Sequence, residues 1–207
     1  MRVPQLGKFF PPVRGGLETA TWKLAEGLSA RGVATDVLVA HTQPRTVRER
    51  SATGYEVVRV ASAGQFHSVS VAPRLPFELS AMAGRYDLIH VHMPDPLAAL
   101  ALWWARPRGR VVLHWHSDVV RQRLAMRLYA PLQRWLLARA DAVIATSPPY
   151  AEASTALAPW RHKLHVIPLG IADPLERLDP ARVARLQQAH AGPVSYTHLA
   201  GDSQMTL

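Results

Sequence analysis

Cysteine is absent from the 207-residue chain. This absence excludes disulfides, thiolate nucleophiles and cysteine-ligated metal sites. Acidic side chains are also scarce, since 15 Asp and Glu stand against 24 Lys and Arg, and the formal net charge is +9. Phosphate-bearing ligands, an anionic membrane surface and nucleic acid are therefore the partners that the charge permits.

Long hydrophobic runs are missing as well. No segment reaches the roughly 20 apolar residues that a membrane-spanning helix needs, and Pro4 interrupts the short apolar run after Arg2, which does not resemble a secretory signal. The expected location is the cytoplasm, and peripheral contact with the inner face of the membrane stays open. Hydrophobic residues still make up 48% of the chain, enough to bury a substantial core.

Short apolar runs alternate with helical patterns along the chain. This order predicts β-α-β units and a Rossmann-like, doubly wound parallel sheet with helices on both faces. The predicted strands are 3–9, 33–40, 55–61, 86–93, 111–116, 141–146 and 163–168.

Helix boundaries follow from capping residues and glycine or proline. The first helix is expected to begin near Leu17 and to end at Gly32. Asp95 and Ser147 are predicted N-caps, each followed by proline. A further helix is expected over 119–139, divided in two by a proline at position 131.

The predicted domains are a Rossmann-like N-terminal domain over 1–175 and a linker or the start of a second domain over 176–194. The last stretch, SYTHLAGDSQMTL (195–207), is polar and has neither the helical nor the strand period. A non-native tail is favoured there over a frayed native terminus.

Polar residues follow the predicted strands at one rim of the sheet. Because ligands bind at the carboxyl ends of parallel strands, this asymmetry predicts a binding site. The residues at these ends are His41, His90, His92, His116, Ser117, Asp118, Ser147 and the run 168–170.

The stretch GKFFPPVRGGLETATWKL (7–24) joins the first strand to the first helix and matches neither G-x-G-x-x-G nor a G-K-[ST] phosphate loop. Gly15 and Gly16 lie at the helix start, where free amides and the helix dipole favour an anion. Arg14 could add a charged contact. The alternative is that the glycines only form a tight turn.

Five motifs occur together in one order. They are F-x-P-x-x-G-G-x-E (10–18), YDLIHVH (86–92), LHWHSD (113–118), ADAVIATS (140–147) and KLHVIPLGI (163–171). In this order and spacing, the chain resembles the N-terminal domain of retaining GT-B glycosyltransferases of family four. The resemblance covers residues 1 to about 175.

The resemblance implies half of a two-domain, metal-independent enzyme that needs no cofactor. Such enzymes move a sugar from a nucleotide-sugar donor to a lipid, polysaccharide or small-molecule acceptor with retained configuration. Gly15 and Gly16 would contact donor phosphate and acceptor, and His92 would lie near the cleft. His116 would lie near the transferred sugar, where Asp118 touches a hydroxyl or holds a loop. Without the donor-binding domain, this chain is expected to be inactive.

The basic stretch 119–139 has two open interpretations. Membrane-surface members of the resembled family use basic helices to reach lipid-linked acceptors, and an amphipathic basic helix can bind anionic lipid. The same pattern also fits a core-facing helix with a solvated basic face.

Two rival functions remain at this point. The first is a metal-dependent hydrolase that uses the imidazoles at 90, 92, 114 and 116 together with the carboxylate at 118. The second is a basic nucleic-acid-binding module, although the aromatic residues form no stacking platform. The glycosyltransferase interpretation predicts no nucleic-acid partner and no metal ligand.

Overall fold

A computed structural model of the chain describes residues 1–66, 69–118, 123–170 and 179–189. The chain divides into two compact units, Met1–Leu169 and Gly170–Leu207. The predicted tail 195–207 lies outside the described residues, as do positions 176–178 and 190–194 of the predicted linker and positions 119–122 of the basic stretch.

An eight-stranded sheet organises the first unit, with the strand order β10-β9-β8-β7-β1-β2-β4-β3. All neighbouring strands are parallel except β3, which pairs antiparallel with β4, and β5 and β6 form a separate two-stranded ribbon. The strands are β1 (Arg2–Leu6), β2 (Ala34–Ala40), β3 (Val47–Arg50), β4 (Glu56–Val60), β5 (Gln65–Phe66), β6 (Val69–Ser70), β7 (Leu88–Met93), β8 (Arg110–Trp115), β9 (Ala142–Ala145) and β10 (Leu164–Val166).

The predicted N-caps are confirmed. Asp95 accepts hydrogen bonds from the amides of Leu97 and Ala98, and Ser147 accepts one from the amide of Tyr150. The helices are α1 (Gly16–Ala30), α2 (Leu75–Ala83), α3 (Pro96–Ala105), α4 (Arg123–Arg139) and α5 (Pro148–Ala153), followed by a 3-10 turn (Ala158–Lys163). In the second unit, α6 spans Pro180–Ala189.

Two hydrophobic cores lie on opposite faces of the sheet, because successive side chains of a strand point to opposite sides. On β2, Leu38 belongs to the main core with α2, α3 and α4, whereas Val37 and Val39 pack with Ala25 of α1. The doubly wound sheet with helices on both faces is thereby confirmed.

The same alternation positions the polar residues of the central strands. Leu6 of β1, Val91 of β7 and Leu113 of β8 enter the main core. Their neighbours Gln5 and His92 therefore lie on the opposite face of the sheet. This reverse face carries the candidate site.

The prediction that proline divides the basic helix is wrong. In the described residues α4 is one helix, with Pro131 inside it. Pro131 and Arg127, whose carbonyl loses its usual amide donor, are both exposed. Water can therefore satisfy that carbonyl, which lowers the cost of proline at this position.

The first strand also ends earlier than predicted, at Leu6 rather than at position 9. α1 approaches the chain closely here, since a Cβ on Gly7 would lie 3.1 Å from the Thr21 hydroxyl oxygen. The chain turns at this crossing, and Phe9 and Phe10 are buried beyond the strand.

Gly109 provides a test of this packing. A Cβ there would lie 2.9 Å from the Tyr86 carbonyl oxygen and 3.1 Å from that of Asp87, and backbone cannot easily yield. We expect Gly109→Ala to lower the free energy of unfolding by about 1–3 kcal/mol, measured by thermal or urea denaturation.

Gly84→Ala is the matched control. Gly84 has right-handed helical dihedrals, and a Cβ added there would have no atom within 4 Å. Its substitution should leave stability within about 0.5 kcal/mol. Equal effects of the two substitutions would contradict the packing described at Gly109.

Candidate active site

The glycine turn leads into α1 with its amides open. Gly15 is the N-cap, with extended dihedrals and no side-chain cap. Its carbonyl accepts a hydrogen bond from the Thr19 amide at 2.9 Å. Among the described residues, none accepts a hydrogen bond from the amides of Gly16, Leu17 or Glu18. These are the donors that bind anions at helix N-termini.

Space around the two glycines differs. Nothing lies within 4 Å of a Cβ built on Gly16, whereas a Cβ on Gly15 would clash with the Glu18 carboxylate. Glu18 is buried and folds back over the turn, where its charge complements the helix dipole. An anion at this turn would therefore need the Glu18 side chain to move. Arg14 is exposed beside it.

Arg59, which the sequence analysis missed, holds the segment before this turn. Its guanidinium reaches from β4 and donates hydrogen bonds to the carbonyls of Phe10 (3.2 Å) and Pro11 (2.5 Å). It also pairs with Glu49 at 2.8 Å, and its side chain is only 11% exposed. A single arginine inside the apolar run YEVVRVA was the available signal, because a buried charge requires partners.

Four histidines form a second cluster, which we call the imidazole layer: His90 and His92 on β7, His114 on β8 and His116 just after it. The register places His92 beside His114, and the His116 amide donates to the Met93 carbonyl at 2.9 Å. Ring centroids of stacked neighbours are 4.3–5.5 Å apart, with interplanar angles of 10–24°.

Hydrogen bonds connect part of this layer to β1. Nδ1 of His92 lies 3.1 Å from Nε2 of His116, and Nε2 of His92 lies 3.0 Å from Oε1 of Gln5. Both ring nitrogens of His114 and the amide nitrogen of Gln5 are buried without a partner among the described residues. The layer is polar yet incompletely satisfied, which is a costly arrangement for a purely structural role.

Burial makes these imidazoles neutral. It lowers the pKa of His90 to about 3 and the pKa values of His114 and His116 to about 4. The pKa of His92 also falls well below 6.5, chiefly through burial and secondly through neighbouring histidines. His116 can therefore hydrogen-bond to a ligand at neutral pH, but it does not supply a positive charge.

Existing hydrogen bonds disfavour a metal centre. Nitrogens of His92, His114 and His116 do lie within 4.8 Å of one another. However, an imidazole binds a metal through an in-plane lone pair, and both ring nitrogens of His92 already face hydrogen-bond partners, Oε1 of Gln5 and Nε2 of His116. The geometry thus argues against the hydrolase alternative.

Asp118 has a different environment. Its carboxylate accepts hydrogen bonds from Trp115 Nε1 (2.8 Å), Tyr150 Oη (3.0 Å) and Ser154 Oγ (2.9 Å). Asp118 thereby links the end of β8 to α5 and to Ser154, the residue that follows that helix. Of the two roles considered for Asp118, these contacts favour holding a loop.

The structure brings the main candidates to one edge of the sheet. β1, β7 and β8 are consecutive in the strand order, so the segments that carry Gly15, Gly16, His92 and His116 all leave the sheet at its carboxyl edge. His41 follows β2 at the same edge, where its Nδ1 accepts from the Gln43 amide at 2.8 Å. Ser147 is accounted for by its capping bond.

This fold, with a site at the carboxyl edge of a parallel sheet, has the arrangement of one half of a GT-B glycosyltransferase. Sucrose-phosphate synthase from Thermosynechococcus elongatus has the same fold, with a TM-score of 0.64 and 21% identity over 91% of this chain and 52% of that one. HepE from Anabaena, solved in complex with UDP, gives a TM-score of 0.58 at 21% identity, over 91% and 50% of the two chains.

Sequence relatives are more specific. The chain is 33% identical to O-antigen chain mannosyltransferase C of Escherichia coli over 195 residues, which are 91% of this chain and 51% of that protein. It is 28% identical to D-rhamnosyltransferase WbpZ of Pseudomonas aeruginosa over 157 residues, or 76% and 41% of the two chains. The chain thus spans about half the length of the curated relatives it matches.

The glycosyl transferase 4-like domain matches residues 15–170. The chain therefore belongs to this family, as its motifs predicted. Neither the family nor these relatives support the hydrolase or nucleic-acid alternatives.

The imidazole layer makes stability depend on pH. The buried histidines stay neutral when folded, whereas the unfolded chain binds protons below its histidine pKa of about 6.5. Since the unfolded state binds more protons between about pH 6.5 and 4, the free energy of unfolding should fall as pH decreases through this window. At pH 5 each such histidine should cost about 2 kcal/mol relative to pH 7.5, measurable by urea denaturation.

His114→Gln is the comparison variant, because it keeps a polar side chain that does not titrate. Its free energy of unfolding should decline less steeply between pH 7.5 and pH 5 than that of the wild type. Identical slopes for both proteins would show that His114 has an ordinary pKa in the folded state.

Proposed function

We propose that this chain is the N-terminal half of a glycosyltransferase that moves a sugar from a nucleotide-sugar donor to a growing glycan. The observation that carries the proposal is that two complementary groups follow neighbouring strands at one sheet edge, the uncapped amides of the Gly15–Gly16 turn and the neutral imidazole of His116. Membership of the glycosyl transferase 4-like family supports it.

The names of the relatives suggest the substrates. One relative is an O-antigen chain mannosyltransferase and another a D-rhamnosyltransferase, so we infer a hexose or deoxyhexose as the transferred group. A lipid-linked or free polysaccharide is the acceptor that fits them. Neighbouring structures of HepE contain UDP and UDP-glucose, which supports a nucleoside diphosphate sugar as donor.

In the proposed mechanism, each group performs one task. Once the Glu18 side chain has moved away from the turn, the first-turn amides bind donor phosphate, and the adjacent exposed Arg14 adds a charge-assisted contact. His116 orients a sugar hydroxyl through a neutral hydrogen bond, while His92 supports it from the buried side. Asp118 keeps the segment after β8 in place through its three donors.

The remaining chemistry lies with the second half of the enzyme. We propose transfer with retention through an oxocarbenium-like state, without a metal, in which basic side chains of the other domain stabilise the departing diphosphate. The 207-residue chain alone is therefore expected to show no transfer.

Substitutions in the two-domain enzyme test the site. Gly16→Val should fold, because nothing lies within 4 Å of the added Cβ, yet its side chain would occupy the space that phosphate must enter. We expect kcat/KM to fall at least about tenfold. His116→Ala should lower it by about 10- to 100-fold through the lost hydrogen bond.

Gly27→Ala is the control within the same helix. A Cβ there meets only the flexible end of Arg31, at 3.5 Å, and alanine favours a helix. Its kcat/KM should match the wild type. Normal kinetics in both Gly16→Val and His116→Ala would refute the proposed site.

Peripheral contact with an anionic membrane is a further part of the proposal. In the described residues no helix combines the length and apolar character needed to cross a bilayer. On α3, however, Leu100, Trp103 and Trp104 are exposed on one face, as their i, i+3, i+4 spacing requires. Trp104 packs against the exposed Phe77 of α2 with ring centroids 5.3 Å apart, and Arg106 lies over the Trp103 ring.

Tryptophan and arginine together suit the interface of an anionic bilayer. α4 offers a second contact, since Leu128 is 85% exposed beside the exposed Arg127. The two helices pack against each other, which allows both to contribute to one surface.

Cosedimentation with vesicles containing phosphatidylglycerol tests this contact. We expect salt-sensitive binding that weakens severalfold in Trp104→Ser and in Leu128→Ser, because each loses exposed apolar area. Val166→Ser, an exposed change on the edge strand β10, serves as control and should bind like the wild type. Absence of binding to anionic vesicles, or equal binding by all variants, would remove the membrane proposal.

A further inference from the structure

Gln5, His92 and His116 form a continuous hydrogen-bonded chain, from the centre of the sheet to its carboxyl edge. Oε1 of Gln5 lies 3.0 Å from Nε2 of His92, and Nδ1 of His92 lies 3.1 Å from Nε2 of His116. Gln5 and His92 are both 0% exposed, so water does not compete for these bonds. We call this chain the Gln5 relay.

With the amide oxygen of Gln5 facing His92, the chemistry of each atom gives the relay one direction. A carbonyl oxygen can only accept, so Nε2 of His92 must carry the proton. A neutral imidazole has one proton, which leaves Nδ1 of His92 as an acceptor. Nε2 of His116 must then be the donor to it, and Nδ1 of His116 keeps its lone pair.

We propose that Gln5 and His92 are positioning residues that hold His116 as its Nε2–H tautomer, with Nδ1 presented to the ligand as a hydrogen-bond acceptor. The tautomer follows from the relay alone, whereas its use in sugar recognition rests on the proposed function. Nδ1 of His116 has no hydrogen-bond partner among the described residues, and His116 is partly exposed.

An acceptor nitrogen selects the group it contacts. It binds a hydroxyl, which can donate, and it repels a phosphate oxygen, which at neutral pH chiefly accepts. His116 would therefore recognise a sugar hydroxyl. Phosphate would be left to the donors at the other part of the site, the amides that follow Gly15. The relay thus assigns the two halves of a nucleotide-sugar to different parts of the sheet edge.

Burial supports the neutral state that the relay requires. The pKa of His92 is lowered well below 6.5 by burial and by its histidine neighbours. The pKa of His116 falls to about 4, mainly through burial and secondly through His114. Neither ring therefore holds a second proton at neutral pH, and each has one donor and one acceptor nitrogen.

Long-range ¹H–¹⁵N NMR of the labelled 207-residue chain reads the tautomer directly, because protonated and unprotonated ring nitrogens have well-separated ¹⁵N shifts. At pH 7.5 we expect a protonated Nε2 and an unprotonated Nδ1 for both His92 and His116. If the Gln5 amide were turned so that its nitrogen faced His92, the donor and acceptor nitrogens of both histidine rings would exchange. A protonated Nδ1 on His116, or averaged shifts from mixed tautomers, would overturn the proposal.

Substitution of Gln5 tests whether the relay imposes the tautomer. Gln5→Leu removes the acceptor with a side chain of similar size, and the His116 nitrogens should move toward averaged shifts. Gln5→Glu keeps an oxygen acceptor at this position and should keep Nε2 of His92 protonated. Thr35→Val, a buried polar-to-apolar change on β2, controls for a general loss of packing.

These outcomes separate the relay from the proposed function. If Gln5→Leu keeps the wild-type tautomer, the relay is wrong whatever the enzyme does. If the relay is present but His116→Ala leaves kcat/KM of the two-domain enzyme unchanged, the proposed role of His116 fails instead. Should Gln5→Leu not fold, the wild-type spectrum still decides the tautomer.

Discussion

The pairing of β7 with β8 is the constraint on which the site depends. Parallel register places His92 beside His114, and one further backbone bond brings His116 alongside. Strand alternation then separates the same two strands into an apolar face in the main core and an imidazole face on the reverse side. A shift of one residue in either strand would place histidine in the main core and valine and leucine on the imidazole face, so the core itself protects the register.

Two kinds of hydrogen-bonding group meet at the resulting edge. The first turn of α1 supplies backbone donors, held in place because Arg59 grips the preceding segment through two carbonyls. The imidazole layer supplies neutral rings, since burial holds the pKa of His116 near 4. In the proposed function, the donors bind phosphate and the neutral ring accepts a hydrogen bond from a sugar hydroxyl, and a nucleotide-sugar carries both of these groups. The membership of the glycosyl transferase 4-like family agrees with this chemistry.

Much of this arrangement is predictable from the sequence where signals are local. Apolar runs locate the parallel strands, and Asp95 followed by Pro96 marks a helix start because capping chemistry acts within a few residues. The sheet edge follows from strand order. The antiparallel strand β3 and the short helix α2 escape prediction, because neither has a long periodic pattern. Pro131 gives a wrong prediction of a helix break, because the free-energy cost of proline inside a helix depends on solvent exposure, which the sequence does not show.

Non-local contacts in the site are less predictable still. The hydrogen bonds of Arg59 reach carbonyls that lie 49 and 48 positions earlier in the chain. The bond between His92 and Gln5 joins residues that are 87 positions apart. The hydrogen bonds of Asp118 likewise cross from β8 to α5. Each of these hydrogen bonds depends on which strands become neighbours in the sheet, and a sequence motif does not contain that information. The sequence locates the site residues, whereas the fold decides how they act on one another.

The central claim is that burial keeps the imidazole layer uncharged at neutral pH. The most direct measurement is an NMR titration of the ring Cε1 resonances of all ten histidines. The account predicts that His90, His92, His114 and His116 show no protonation above pH 5 while the protein stays folded. Titration of His116 and His92 near the ordinary histidine pKa of about 6.5 would contradict it.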